Sequence, residues 1–61
     1  MNYFQAITAR LEGDWPDYQV WYVPKAVGGT TWCARRWDET GDVISATSPD
    51  ELEALLRLRQ G

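Results

Sequence analysis

Sixty-one residues, 44% hydrophobic and 25% charged, fit one small globular domain over 1–61 and exclude a disordered chain. Six cations against nine carboxylates leave a net charge of −3, the wrong sign for a protein that binds mainly by neutralising phosphates. One cysteine and no histidine exclude an internal disulfide, and remove most of the usual zinc ligands and the commonest general base at neutral pH.

The chain opens with a helical stripe, Tyr3, Phe4, Ile7 and Leu11, which predicts a helix over Tyr3 to Glu12. Asn2 caps it, Gln5 completes a capping box, and Gly13 is expected as its left-handed terminator. Asp14-Trp15-Pro16-Asp17 turns the chain, with Trp15 pushed to an extended backbone by the proline after it. Tyr18 to Val23 is rich in aromatic and β-branched residues and reads as a strand ended by Pro24. Lys25 to Gly29 is a flexible connection, and Thr30 to Trp37 is a second strand. Asp38-Glu39-Thr40-Gly41-Asp42 signals a hairpin, with Asp38 opening a type I turn and Gly41 left-handed. Val43 to Thr47 is the third strand. Ser48 then caps a helix, Pro49 takes its first position and Glu51 is expected to close a capping box, and the helix runs from about Pro49 to about Arg59. Leu52, Leu55 and Leu56 share one side of it.

Helix, three strands, helix with short connections predicts an α+β fold. It is a three-stranded antiparallel meander packed on one face by the N-terminal and C-terminal helices. The hairpin loop sets the expected register, pairing Trp37 with Val43, Arg36 with Ile44, Arg35 with Ser45 and Ala34 with Ala46. One face then gathers Tyr18, Val20, Tyr22, Trp32, Ala34, Ile44 and Ala46, the better surface for the helices to cover. The other holds Gln19, Trp21, Val23, Cys33, Arg35, Trp37 and Val43. A one-residue slip would exchange the two faces.

An open antiparallel face is normally polar, yet this one combines tryptophans with arginine, residue types enriched at interaction hot spots. The alternative is that Trp21 and Trp37 lie flat over the sheet, with Arg35 stacked on one of them. Other chemistry is weaker. Cys33 has no histidine to activate it. Asp38, Glu39 and Asp42 cluster at a turn without the spacing of a calcium loop. Gly28-Gly29 lacks the lysine and helix of a phosphate loop. Leu58, in excess of one sheet contact, offers a contact to a second copy. Trp32, Arg35, Arg36 and Trp37 form a basic–aromatic cluster of the kind that stacks bases. Against nucleic acid, Asp50 and Glu51 stand where double-stranded RNA-binding domains need lysines.

Three stretches together, Trp21-Tyr22-Val23-Pro24, Gly28 through Asp38 and Ser48-Pro49-Asp50-Glu51-Leu52, resemble a group of short actinobacterial proteins of uncharacterised activity. The resemblance covers about two thirds of the chain and implies a bacterial cytosolic setting, but assigns no functional residue. The N-terminus has neither the basic start nor the apolar run of a signal peptide, which also favours the cytosol. The expectation is a non-enzymatic interaction module. It binds a protein partner, or itself as a homodimer, through Trp21, Arg35, Trp37, Gln19 and Val43. A nucleic-acid contact by the same face is the second reading. No cofactor, metal, catalytic residue or membrane contact is expected.

Overall fold

The computed structural model describes residues 2–60; Met1 and Gly61 lie outside the described residues. Its elements are α1 (Tyr3–Asp14), β1 (Tyr18–Pro24), β2 (Thr30–Arg36), β3 (Ile44–Ala46) and α2 (Pro49–Gln60). The strands form one antiparallel sheet with β2 in the centre. Helix α1 packs on β1, and α2 on β3 and β2. The α-β-β-β-α order is the one expected from the sequence.

Both helix starts carry side-chain caps. At α1 the Gln5 N–H donates to Asn2 Oδ1 at 2.8 Å and the Asn2 N–H donates to Gln5 Oε1 at 3.1 Å, a reciprocal capping box. At α2 the Glu51 N–H donates to Ser48 Oγ at 3.1 Å. The Glu51 carboxylate does not return to Ser48 as a capping box requires. It accepts instead from the Thr47 N–H and hydroxyl, at 3.4 and 3.3 Å.

Gly13 does not terminate α1, which runs on through it to Asp14. The Trp15 N–H still donates to Leu11 O at 2.8 Å, and the chain leaves the helix at Trp15, the residue before Pro16. Proline, rather than glycine, is the stop signal, because it disfavours a helical backbone in the residue ahead of it.

The first hairpin pairs Tyr18 with Arg36, Val20 with Ala34 and Tyr22 with Trp32. Its loop uses two left-handed glycines, Gly28 and Gly29, with φ of 92° and 88°. The second hairpin departs from expectation. Ala34 pairs with Ile44, and Trp32 with Ala46, a register two residues away from the expected one. Strand β2 ends at Arg36 and β3 spans only Ile44–Ala46, so neither Trp37 nor Val43 is paired. The turn begins early. Glu39 N–H donates to Arg36 O at 3.0 Å, and Glu39 and Gly41 are both left-handed. Asp38 accepts from the Thr40 N–H at 3.0 Å and its hydroxyl at 2.6 Å, so it organises the loop rather than opening it. A shift of two preserves the side-chain alternation, and every paired residue keeps its face, while Trp37 falls outside the sheet.

The core therefore lies where the alternation places it. Leu11, Tyr18, Val20, Trp32, Ala34, Ile44, Ala46, Leu52 and Leu56 form one buried cluster, with Ile7, Trp15, Tyr22 and Leu55 packed around it. Phe4 adds an aromatic edge, its ring 5.4 Å from Tyr22 and 5.6 Å from Trp32. Tyr3, expected on the same stripe, is exposed. So is Leu58, at 77%. Among the described residues no helix is long and apolar enough to cross a membrane.

Candidate interaction face

Both helices cover the face that carries Tyr18, Val20, Trp32, Ala34, Ile44 and Ala46. The opposite face is built from the alternate positions of β1 and β2. Gln19 stands opposite Arg35, Trp21 opposite Cys33, and Val23 opposite Thr31. Beyond them Ser45 pairs with Cys33 from the β3 side. Four side chains of this face, Gln19, Trp21, Arg35 and Val43, line an open depression of about 320 Å³. Trp37 is not part of that lining. It follows β2 in the turn, anchored by its N–H donating to Asp17 O at 3.0 Å, and its surface is 57% exposed.

Trp21 and Trp37 thus differ. Trp21 is half-buried, and its cross-strand neighbour Cys33 is only 7% exposed even though no helix lies over it. An indole lying along the sheet beside the thiol fits both facts. The Cys33 thiol also lies 4.0 Å from Ser45 Oγ, so it behaves as a small packing residue. Trp37 is the more exposed of the two. The arginine–aromatic contact that the structure shows lies on the other face and involves neither Arg35 nor a tryptophan: Arg36 Cζ sits 5.9 Å from the Tyr18 ring centre.

Arg35 is the cation of the depression, and its partners are poor. Its Nη2 lies 3.9 Å from Glu39 Oε1, with the Glu39 side chain three-quarters exposed. Charge-assisted hydrogen bonds run at about 2.7–2.9 Å, so this is a loose ion pair. Its Nε is shielded from solvent and has no acceptor among the described residues. Neither feature was legible in the sequence. The approach of Glu39 depends on a left-handed backbone at Glu39, which no local residue pattern announces.

Asp38, Glu39 and Asp42 form no metal cluster among the described residues. The Asp38 carboxylate is already engaged. The Thr40 hydroxyl and N–H hold its pKa below the ordinary carboxylate value, and Arg36, whose Nε is 3.5 Å away, adds to this. Hydrogen bonding to Asp38 in turn raises the pKa of Arg36.

No family model matches this chain, and comparison with curated proteins and with solved structures returns no match either.

Proposed function

We propose that this domain is a non-enzymatic interaction module that docks a protein segment, from another protein or from a second copy of itself, on the sheet face opposite its helices. The observation that carries the reading is Trp37, left 57% exposed just beyond the end of β2, together with the depression lined by Gln19, Trp21, Arg35 and Val43. Tryptophan and arginine are the side chains that most often dominate binding energy at protein contacts. An uncovered antiparallel face without such a role is ordinarily polar. A protein segment suits this face better than nucleic acid. It offers one cation, and the adjoining loop carries Asp38, Glu39 and Asp42, which repel phosphates. A single unpaired thiol fits a reducing compartment such as the cytosol.

The test is Trp37→Ser, with the fold checked by circular dichroism. Association, read as sedimentation mass or as cross-linked complex with a purified partner, is expected to weaken about tenfold or more. Unchanged association in a folded variant would count against the reading.

A further inference from the structure

We infer that the depression around Arg35 receives the carboxylate of an acidic side chain flanked by apolar residues, presented by a partner protein. This rests on the docking role above and specifies the chemistry of the occupant. Among the lining residues Gln19, Trp21 and Val43 are neutral and Arg35 is the cation, with the Glu39 carboxylate beside it. Its Nε–H has no acceptor, and its Nη2 holds Glu39 only at 3.9 Å. Those two groups form one edge of the guanidinium, and a carboxylate can accept from both in parallel. Nε is covered in the free protein, so binding requires the guanidinium to turn and the exposed Glu39 arm to yield its place. Trp21 and Val43 then wall the depression with apolar surface for the residues beside the carboxylate. Its volume of about 320 Å³ suits one inserted side chain. A polyanion is disfavoured, because Glu39 and Asp42 adjoin the site and the whole chain carries −3.

The test follows the Arg35 Nε–H resonance by nuclear magnetic resonance. The protein is titrated with the blocked pentapeptide Ac-Ser-Leu-Glu-Val-Ser-NH2, with its glutamine counterpart, and with deca-thymidylate. A saturable shift with the glutamate peptide is expected, in the millimolar range that a short linear probe can reach. The glutamine peptide should bind about tenfold more weakly, having lost a charge-assisted pair. Arg35→Gln, followed through the Trp21 indole N–H resonance, should abolish the difference between the peptides, because no cation is left to pair with the carboxylate. Glu39→Gln, in an exposed turn and so safe for folding, should tighten the glutamate peptide by removing its competitor.

Equal binding of the two peptides would overturn the carboxylate assignment and leave the docking role standing. So would a silent Arg35 resonance up to about 5 mM peptide. A larger Arg35 shift with deca-thymidylate would overturn it in favour of nucleic acid. Failure of the docking role itself shows separately, as unchanged association of Trp37→Ser.

Discussion

Glycines in this chain divide by backbone angle. Gly13 lies inside α1, and a methyl group placed there meets nothing within 4 Å. Gly29 has a φ of 88°, which an L side chain resists. Gly13→Ala is therefore expected to stabilise the fold by about 0.5–1 kcal/mol and Gly29→Ala to destabilise it by about 1 kcal/mol or more. Chemical denaturation checks both, and a loss of stability for Gly13→Ala would restore the glycine to a terminating role. Asp38 supplies the pH prediction. Its folded pKa is depressed, so its contribution to stability is present above the ordinary value of 3.8 and is lost as pH falls through the lower folded value. Thr40→Val removes the hydroxyl that is the largest single cause of this shift, and the Asp38 carboxyl resonance should then titrate closer to 3.8. An unmoved titration would contradict the assignment. Little of this was legible beforehand. A glycine after a helical stripe reads as an end, and only the backbone shows that Pro16 sets it.

At the scale of elements, the helix caps were read most readily, because each needs only residues within one turn. Asn2 and Gln5 behave as their spacing implies. Asn2→Ala should lower stability by about 1 kcal/mol, with loss of helical signal confined to α1. A cost below measurement would mean the box is formed but idle. The second hairpin was read less well. Its turn starts two residues early because Glu39 adopts a left-handed backbone and Asp38 folds back on Thr40. Neither event follows from a turn-forming composition. The faces survived because an even shift leaves alternation intact, whereas a shift of one would have inverted them. Strand β1 carries another contact without a local signature. The Glu12 carboxylate, on the last turns of α1, accepts from the Val20 N–H at 2.9 Å. That bond occupies a donor on an edge strand and so hinders pairing with a foreign strand.

Across the whole molecule, the accessible surface is 4143 Å². Scaling for this mass predicts about 4,000 Å², so the chain is as compact as its length permits. Nine buried residues on one side of the sheet make up the core, and both helices are used to close it. Among the described residues no further element closes the other side. That consequence was legible from counting elements against faces. The state of each indole was not: Trp21 is half-buried opposite Cys33, and Trp37 stands outside the sheet. A small domain has little net stability, and Trp37, with 57% of its surface exposed, adds less to the core than Trp32 at 3%.

The most direct measurement of that claim is denaturant unfolding of Trp37→Ser beside Trp32→Ser. Trp32 is 3% exposed within the core, and its loss should cost about 3–5 kcal/mol, enough to unfold so small a domain. Trp37→Ser is predicted to stay within about 0.5 kcal/mol of the unaltered protein, with the same dependence on denaturant. A loss of about 2 kcal/mol or more at Trp37 would contradict the account, since a cost of that size belongs to packing inside a fold and not to a surface held open for a partner.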